Sequence, residues 1–479
     1  MLLKQKLQTH FGYDAFRQGQ REVIESVLAG NDTLALLPTG TGKSLCYQLP
    51  GYILQGTVLI ISPLISLMQD QVDQLLMRGE KKVIALNSFL NFEQKKYVLQ
   101  QLHTYRFVFI SPEMFLQEQV QERLRSIHVS LIVADEAHCI SQWGFDFRPD
   151  YLRVGEVLPA ERPPILALTA TATSQVVADI EKYLRMGQVN RFISNVNRPN
   201  IFLSKLSFGQ KDEKWDWLKS HVLETAGPGI IYVSSRKKAD DLSAQLLAEG
   251  LFVASYHGGK EAQDRQFIQE QFILGELDWI VATNAFGMGV HKENVRQVIH
   301  ETMPANVSSY MQEIGRAGRD GKQSVAILLY AEGDEQAAQY IALEDLPTAH
   351  QIELYEQFKA EGQSLDRLVN DGYMSSTQYR VLHYWLEQLD ANTVKEQFFA
   401  MQQKKLNELH RMLQIVKGTS CIRAQVIAYF EQTFDGQENC CSNCGQHFSS
   451  FLLERNRKVE KQLENWQTRL QHLLKIIEQ

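Results

Sequence analysis

The chain has 479 residues, of which 44% are hydrophobic. This predicts roughly two to four domains with sizeable cores and excludes a disordered chain. We find no charged-then-apolar leader and no apolar run of about 18 residues, so we expect a cytoplasmic protein with no membrane partner. The formal net charge of −7 excludes a general positive field, so any polyanion must bind local basic or polar surfaces.

Residues 2–30 are predicted to form two helices separated by a turn at residues 11–14, with Asp14 as the cap of the second helix. The polar side chains of Arg17 and Gln20 come shortly before a glycine-rich stretch. A glutamine amide can both donate to and accept from the edge of adenine. These residues are therefore candidates for nucleotide contact, and a solvated helix face is the alternative.

A phosphate-binding loop is predicted directly after a short apolar strand at residues 33–37. Glycines let the backbone N–H groups of such a loop face phosphate oxygens, and the helix that follows adds a favourable dipole. Lys43 can reach the terminal phosphates and the Ser44 hydroxyl can bind magnesium. Leu37 stands where the common pattern has glycine, so a plain loop is the alternative unless a carboxylate motif is present. The candidate cofactor-binding residues of the loop are Thr39, Gly40, Thr41, Gly42, Lys43 and Ser44.

Two predicted strands, at residues 57–61 and 107–110, each run into a Ser-Pro pair, which begins at Ser62 and at Ser111. Hydroxyls and helix N-termini at such strand ends can bind the phosphates of a nucleic-acid backbone. Ordinary helix capping after a strand is the alternative. Ser62 is the candidate DNA contact of the two.

Two adjacent carboxylates, Asp135 and Glu136, follow a buried strand at residues 131–134. The carboxyl end of a parallel strand is the place where α/β sheets bind ligands, and two buried acids without a partner would be costly. Asp135 is the candidate magnesium ligand, and Glu136 is the candidate for orienting and deprotonating an attacking water. With the phosphate loop, this pair predicts an ATPase.

Residues 143–151 hold four aromatic side chains and an arginine, interrupted by Gly and Pro, which is typical of a loop. Aromatic rings stack on unpaired bases, and arginine pairs with phosphate. Trp143, Phe147 and Arg148 are therefore candidate DNA contacts, and a loop that fills the core is the alternative.

The strand predicted at residues 165–168 finishes in the small hydroxyl residues Thr169 and Thr171. Such residues suit a relay between the nucleotide and a partner, and a plain strand end is the alternative. The Arg-Pro-Asn stretch at residues 198–200 then indicates a linker.

A second series of strands alternating with helical segments predicts a second doubly wound lobe, which has no phosphate loop of its own. Its strands at residues 229–233 and 279–283 end near Ser235, Arg236 and Thr283. These three residues are candidate DNA contacts by their position at the strand ends.

Arg316 and Arg319 lie in a glycine-rich stretch at residues 312–321. They are three apart, so they would share one face of a helix. One or both can reach across a cleft to the γ-phosphate as arginine fingers, and ordinary surface arginines are the alternative.

Residues 346–450 lose the α/β rhythm, are predicted to be helical and contain a cluster of cysteines. In a cytoplasmic protein such clustering favours a metal over disulfides. Four thiolates can close a tetrahedral zinc site, and a metal-free thiol core is the alternative. His447 is the substitute for Cys440, because neighbouring ligands on one ion are tight. The candidate zinc ligands are Cys421, Cys440, Cys441 and Cys444.

Apolar residues recur at steps of three and four within residues 451–479, which predicts an amphipathic C-terminal helix. Docking of this helix on its own protein is one interpretation, and a dimer or partner contact is the other.

Taken together, these motifs resemble those of the RecQ family of superfamily-2 DNA helicases over nearly all of residues 1–445. The resemblance rests on the phosphate loop, where an apolar residue at position 37 is common in the family, and on residues 135–144 and 312–321. It assigns Tyr13, Arg17 and Gln20 to an adenine-recognition motif. Residues 143–151 resemble the family's aromatic-rich DNA-sensing loop. Two positions depart from the family: Phe145 replaces a usual His and His291 a usual Asp or Asn.

The resemblance implies an ATP-driven translocase that uses ATP, Mg²⁺ and Zn²⁺ and unwinds DNA with 3′-to-5′ polarity. The implied partners are single-stranded, duplex and branched DNA, with single-strand-binding or repair proteins, in repair and recombination. We expect a monomer of a short form without winged-helix and further helical domains. A DNA-stimulated ATPase that remodels bound proteins and a non-enzymatic DNA-binding scaffold are the rival interpretations.

The expected fold class is α/β, with two tandem RecA-like, doubly wound parallel-sheet lobes. We predict helicase lobe 1 at residues 1–205 and lobe 2 at residues 206–345. A mostly helical zinc-binding module at residues 346–450 and the C-terminal helix at residues 451–479 would follow.

Overall fold

The structure is a computed structural model, and it describes residues 2–87, 90–142, 149–283, 286 and 292–455. This part of the chain forms two parallel sheets flanked by helices, followed by a helical module. The predicted α/β class with two RecA-like lobes is confirmed. None of the described helices is both long and apolar enough to cross a bilayer.

The first lobe is built on a parallel sheet whose inner strands are short apolar runs, buried on both faces. Within the described residues its strands are β1 (Asp32–Leu36), β2 (Thr57–Ile61), β3 (Val83–Leu86), β4 (Phe107–Ile110), β5 (Val129–Ala134), β6 (Ile165–Thr169) and β7 (Val189–Ile193). Their spatial order is β3-β4-β2-β5-β6-β1-β7. Only β6 separates β1 from β5, so the two chain segments that follow these strands lie close together.

Helices cover both faces of this sheet, and successive residues of β1 contribute to opposite cores. Leu34 belongs to one apolar cluster, and Ala35 and Leu37 to the other. Leu37 is fully buried, which explains an apolar residue at the start of the loop. The helices are α1 (Leu2–Phe11), α2 (Gln20–Leu28), α3 (Leu45–Ile53), α4 (Ile65–Met77), α5 (Phe92–Gln100), α6 (Pro112–Phe115), α7 (Glu118–Arg125), α8 (His138–Gln142), α9 (Val154–Val157) and α10 (Ser174–Tyr183), with 3₁₀ turns at Leu102–Thr104 and Pro149–Tyr151.

The second lobe repeats this plan around another parallel sheet. Its described strands are β8 (Ile201–Phe208), β9 (Gly229–Tyr232), β10 (Val253–Tyr256), β11 (Trp279–Ala282), β12 (Gln297–His300) and β13 (Ser324–Ala331), in the spatial order β10-β11-β9-β12-β13-β8. Its helices are α11 (Lys211–Glu224), α12 (Arg236–Ala248), α13 (Ala262–Leu274), α14 (Val307–Ile314) and α15 (Asp334–Leu343). β8 pairs along its whole length with β13. The boundary predicted between residues 205 and 206 therefore falls inside a strand of the second sheet, and we place it before Ile201.

The helical module packs against the edge of the second sheet. It contains α16 (Ala349–Ala360), α17 (Arg367–Asn370), α18 (Ser376–Leu386), α19 (Ala391–Lys417) and α20 (Ile422–Tyr429), followed by 3₁₀ turns at Ser442–Cys444 and Phe448–Phe451. The Lys205 ammonium donates to the carbonyls of Ile415 (3.1 Å) and Val416 (2.8 Å) at the end of α19. Since Lys205 lies in β8, this contact anchors the long helix to the second lobe.

Three local predictions differ from the structure. Asp14 does not cap α2, because that helix begins at Gln20 after Gly19, whose φ of 80° lies in the left-handed region. Arg316 and Arg319 do not share a helical face, because α14 ends at Ile314 and Gly318, with φ of 52°, leaves the helical conformation.

The third difference concerns the C-terminal segment. The described end of the chain is not helical after Phe451: Glu454 pairs with Thr225 beside the second lobe, and the Arg455 N–H donates to the Glu224 carbonyl (2.8 Å). The rest of the predicted C-terminal helix, residues 456–479, lies outside the described residues.

Candidate active site

The glycine-rich loop joins β1 to α3 at the carboxyl edge of the first sheet. Gly40 and Gly42 have φ values of 86° and 76°, which L side chains rarely adopt. A Cβ on Gly40 would also lie 3.1 Å from Cγ of Arg319 in the other lobe. The loop is therefore shaped both for exposed backbone N–H groups and for close approach of the second lobe. α3 begins directly after Ser44, so its N-terminus is directed at the loop.

Arg17 and Gln20 hold this loop rather than forming a solvated helix face. The Gln20 amide donates from Nε2 to the Thr41 carbonyl (2.7 Å), and its Oε1 accepts from the Arg17 N–H (2.8 Å). The Arg17 guanidinium donates to the Gly40 carbonyl. Gln20 is buried, whereas Tyr13 is about half exposed at the mouth of the cleft. The segment before α2 is thus connected to the phosphate loop by side chains.

The two carboxylates lie beside the loop lysine. Lys43 Nζ is 3.6 Å from Glu136 Oε1, and it has no hydrogen-bond partner among the described residues. The Glu136 N–H donates to Asp135 Oδ1 (3.0 Å), and the Tyr151 hydroxyl donates to the Asp135 carbonyl (2.8 Å). Glu136 has a φ of 46°, an unusual conformation for a residue other than glycine. The backbone is therefore held in a strained turn that presents both acids to the loop.

The surroundings shift the pKa values of Asp135 and Glu136 in opposite directions. Burial and the negative charge of Glu136 raise the pKa of Asp135. Burial acts most strongly, and raises the pKa of Glu136, but the opposing interactions together, of which attraction to Lys43 is the largest, hold this pKa below its ordinary value. Glu136 is therefore the acid that stays ionised and can accept a proton. Asp135 needs a neighbouring cation to be ionised, which fits a metal ligand.

A buried histidine connects the acids to the second lobe. Burial lowers the pKa of His138 to about 4, so the ring is neutral at pH 7. Its Nε2 accepts from Gln312 Nε2 (2.8 Å), and its Nδ1 lies 3.1 Å from Thr169 Oγ1, whose own O–H donates to the Thr171 carbonyl (2.9 Å). This pattern requires the proton on Nδ1. His138 Nδ1 is also 3.4 Å from Glu136 Oε2. The predicted relay at Thr169 and Thr171 thus contacts the second lobe through His138 and Gln312.

Both predicted arginine fingers line the cleft from the opposite side. Arg316 is 7% exposed, and its Nε has no hydrogen-bond partner among the described residues. Burial, followed by the positive charges of Arg316 and Arg198, lowers the pKa of Arg319. Several cations thus crowd one buried region, and an anion of high charge fits between them.

Arg198, which the sequence indicated only as part of a linker, contacts both lobes. Its guanidinium donates to the carbonyls of Thr39 (3.0 Å) and Gly315 (3.2 Å), and to that of Gly318 (2.8 Å). The Thr39 hydroxyl also donates to the Gly315 carbonyl (2.9 Å). The phosphate loop and the turn that carries Arg316 are therefore held by one side chain from the linker. The only sequence signal for Arg198 was its position directly before a Pro-Asn pair.

The cleft has a volume of about 590 Å³, which lies in the range of ligand pockets. It is lined by the phosphate loop, both acids and both arginines, and by Tyr13, Arg17, Gln20 and Gln312. The ammonium of Lys43 and Nε of Arg316 are buried donors without a hydrogen-bond partner in the described part of the chain. A nucleotide triphosphate with a divalent cation fits this set of donors and carboxylates.

The predicted DNA contacts are not brought together in the same way. Ser62 is 1% exposed, and Ser111 caps α6 by accepting from the Met114 N–H, which is the ordinary capping alternative. Ser235 caps α12, whose first residue is the exposed Arg236, and Thr283 follows β11. Outside the described residues lie Trp143, Phe145, Phe147, Arg148 and His291.

The predicted zinc ligands form a compact group of sulfur atoms. The sulfurs of Cys421, Cys440, Cys441 and Cys444 all lie within 4.8 Å of one another. Cys421 Sγ is 3.5 Å from Cys440 Sγ and 3.8 Å from Cys441 Sγ, which is 3.5 Å from Cys444 Sγ. Tetrahedral zinc with bonds of about 2.3 Å requires sulfur separations of about 3.8 Å. The four thiols therefore fit zinc, and the group contains Cys440 rather than the substitute His447.

Fold and site together define a two-lobe, nucleotide-driven motor of the helicase type. The chain matches a family model described as DEAD/DEAH box helicase over residues 17–180, a helicase conserved C-terminal domain over residues 213–321, and RecQ zinc-binding over residues 357–445. Among solved structures, it is similar to the DUF1998 helicase MrfA bound to DNA, with a TM-score of 0.59 and 19% identity over 71% of this chain and 52% of that one. It is also similar to S. cerevisiae Dbp5 bound to RNA and ADP BeF3, with a TM-score of 0.58 and 20% identity over 72% and 90% of the chains. These two likenesses concern the fold.

Curated relatives identify the family. The chain is 42% identical to the probable ATP-dependent DNA helicase RecS of Bacillus subtilis, over 99% of this chain and 98% of that protein. It is 41% identical to the ATP-dependent DNA helicase RecQ of Haemophilus influenzae over 76% of this chain, and spans 60% of that protein. The chain belongs to the RecQ family of ATP-dependent DNA helicases.

Proposed function

We propose that the protein couples ATP hydrolysis to 3′-to-5′ movement along single-stranded DNA and unwinds duplex or branched DNA in repair and recombination. The observation that carries the ATPase part is the convergence of Lys43, Glu136 and Arg316 on one cleft between the lobes. Direction and pathway rest on the resemblance of the motifs to the RecQ family.

In this proposal the backbone and side chains of residues 39–44 hold the phosphates of ATP. The N–H groups of a left-handed glycine loop and a helix N-terminus both favour anions. The Ser44 hydroxyl and the Asp135 carboxylate are proposed to hold Mg²⁺, which would neutralise negative charge on the phosphates of ATP. The raised pKa of Asp135 makes this carboxylate dependent on such a cation.

Glu136 is the proposed base that orients the attacking water and accepts its proton. Lys43 and neighbouring groups together hold its pKa below the ordinary value, so it is ionised before the reaction, and its backbone N–H is bonded within the turn. Arg316 and Arg319 are the proposed fingers that stabilise the charge on the transferred phosphoryl group. Their supply from the second lobe makes hydrolysis depend on a closed cleft.

Adenine recognition is assigned to Tyr13, Arg17 and Gln20. The Gln20 amide bonds the carbonyls of the phosphate loop, so reading an adenine edge would require it to exchange these partners. Base binding would then loosen or reset the loop through the same side chain. This gives the segment before α2 a proposed role in coupling base recognition to phosphate binding.

Closure of the cleft is proposed to drive translocation. Phosphates between the arginines and the loop favour the closed arrangement, and hydrolysis removes that differential contact. The hydrogen bond from Gln312 to His138 joins the lobes only when they are close. Formation of this hydrogen bond on closure would therefore affect Glu136 and the strand end at Thr169 through the His138 ring.

The DNA contacts are proposed at the strand ends and in the aromatic loop, and zinc at the four thiols. Buried Ser62 can contribute only through a local rearrangement. We propose a monomer that works with single-strand-binding or repair proteins. The DNA-binding residues assigned are Ser62, Trp143, Phe147, Arg148, Ser235, Arg236 and Thr283.

The test compares wild type with Lys43→Ala, and with Lys81→Ala as a matched control on an exposed lysine away from the cleft. ATP hydrolysis and strand displacement are measured on 3′-tailed, 5′-tailed and blunt duplexes. Lys43→Ala is expected to reduce both activities by about 100-fold or more, because it removes a charge that binds the transferred phosphate. Wild type should unwind only the 3′-tailed duplex.

Three results would count against the proposal. Unwinding by Lys43→Ala at the wild-type rate would refute the site. Preference for the 5′-tailed duplex would refute the polarity. Hydrolysis stimulated by DNA without displacement of any strand would favour an ATPase that remodels bound proteins.

A further inference from the structure

The cysteine group and the ATP cleft are joined by two consecutive arginine contacts through the linker between the lobes. The first arginine, Arg423 of α20, is 3% exposed. Its NH1 donates to Asn197 Oδ1 (2.8 Å) and to the Arg198 carbonyl (3.1 Å). Its NH2 donates to the Ile201 carbonyl and to the Cys440 carbonyl (3.1 Å). A single buried guanidinium thus holds the chain on both sides of the linker, from Asn197 to Ile201 at the start of β8, against a residue of the cysteine group.

The cysteine group also forms part of the second sheet's edge at this point. The Cys440 carbonyl accepts from the Leu203 N–H (3.4 Å), and Cys441 bridges Leu203 in a parallel pairing. The Lys205 N–H donates to the Ser442 hydroxyl (3.2 Å). The cysteine loop is therefore bonded to the first half of β8, and β8 begins where the linker ends.

The second arginine, Arg198, leads from the linker to the catalytic residues. Its backbone carbonyl is held by Arg423, while its side chain holds Thr39 of the phosphate loop and the turn from Gly315 to Gly318. A displacement of the linker backbone at this residue therefore changes the position of that turn relative to the loop. Arg423 therefore restrains this backbone through its own hydrogen bonds.

The same module contacts the first lobe on the other side of the linker. The Gln432 side chain accepts from the Val196 N–H (2.9 Å) and donates to the Ser194 carbonyl (3.2 Å). Glu431 accepts from the Ser174 hydroxyl (2.9 Å) at the start of α10. The module thus contacts the chain on both sides of the linker.

We propose that Arg423 is a positioning residue for ATP hydrolysis. Through Arg423, the four-cysteine centre determines the position of the linker backbone and so the placement of Arg316 and Arg319. The inference rests on the zinc assignment proposed above. The four thiols would hold zinc, and this binding would keep the Cys440 backbone in place. Arg423 transmits this position to the linker, and Arg198 transmits it to the cleft. ATP binding depends mainly on the first lobe, so the effect falls on turnover rather than on nucleotide affinity.

The test uses the full chain as Arg423→Gln, with Arg423→Lys as the conservative variant. Arg162→Gln is the matched control, because Arg162 is a largely buried arginine that pairs with Asp32 at the amino end of β1, the end opposite the phosphate loop. Zinc per chain, ATP kcat and KM, and hydrogen–deuterium exchange of residues 196–203 are measured for each. The zinc content of wild type tests the metal assignment separately from the role of Arg423.

Arg423→Gln is expected to keep the zinc content of wild type and the KM for ATP within about twofold. Its kcat should fall about tenfold, since small misplacements of catalytic groups cost one to two orders of magnitude. Exchange should become faster at residues 196–203. Arg423→Lys should recover part of kcat, and Arg162→Gln should keep kcat within about twofold.

The proposal is overturned if Arg423→Gln retains wild-type kcat, if zinc is lost in step with activity, or if Arg162→Gln lowers kcat equally. If Arg423→Gln fails to fold, the milder variant Asn197→Ala tests the proposal instead. Asn197 is partly exposed and gives up only the 2.8 Å contact with Arg423 and one with Gln437. It is expected to lower kcat about threefold with full zinc, and unchanged kcat would reject the inference.

Discussion

The hydrogen bond between Gln312 and His138 offers the sharpest test of how the second lobe controls hydrolysis. Gln312→Ala removes the 2.8 Å contact and leaves Nε2 of a fully buried imidazole with the weaker contact to Cys139 Sγ (3.4 Å). A lost neutral hydrogen bond weakens an interaction by about 1 kcal/mol, and a poorly satisfied buried acceptor raises this cost toward about 2 kcal/mol. If the bond exists only in the closed arrangement, its loss raises the free-energy barrier to hydrolysis by about 1–2 kcal/mol. That corresponds to a fall in kcat of roughly 5- to 30-fold.

Steady-state ATP hydrolysis with saturating single-stranded DNA measures this effect, with kcat and KM determined separately. Gln339→Ala, an exposed glutamine on α15, is the matched control and should leave both constants unchanged. At pH 8, Gln312→Glu should show the same reduced kcat as the alanine variant, because a carboxylate cannot donate to His138. It should recover at lower pH as the pair takes up a proton. A kcat for Gln312→Ala within twofold of wild type would refute the reasoning.

Two further predictions concern contacts between the lobes. Gly315→Ala places a Cβ 2.4 Å from Thr39 Oγ1, so kcat is expected to fall roughly ten- to hundredfold while circular dichroism stays native; full activity would contradict the close approach. Burial raises the pKa of Asp70 to about 6, and its carboxylate accepts from Gln269 across the lobes (3.0 Å). Its stabilising contribution is therefore complete below the ordinary pKa near 4 and is lost as pH rises through about 6. Asp70→Asn should be more stable than wild type by about 1–2 kcal/mol at pH 7.5 and equal to it near pH 4, and a difference independent of pH in thermal melting would contradict this.

The strands were largely predictable from the sequence. Those at Thr57–Ile61 and Phe107–Ile110 have the predicted bounds, because a strand buried on both faces is a continuous apolar run with polar residues at its ends. The helix starts were less predictable. Asp14 has the chemistry of a cap, but a glycine in the left-handed region decides where α2 begins.

The candidate site was predictable in its parts but not in its connections. His138 and Gln312 are 174 residues apart in sequence, and no local pattern reveals that one donates to the other. Arg198 was indicated only as a linker residue, because its carbonyl acceptors have no sequence signature.

The cysteine group shows the same limit. Spacing alone made neighbouring cysteine ligands a tight fit and left His447 as a substitute. Asn439, with φ of 53°, turns the chain just before Cys440, and both neighbouring sulfurs lie with the others. Backbone conformation, rather than spacing, decided this point.

The left-handed backbone at Glu136 links catalytic competence to a loss of stability. A residue with a side chain in that conformation costs about 1–2 kcal/mol, and the raised pKa of the adjacent Asp135 adds to the penalty. Replacement of Glu136 by glycine would relieve the backbone and the charge repulsion while removing the proposed base. Selection for stability alone would therefore favour that replacement.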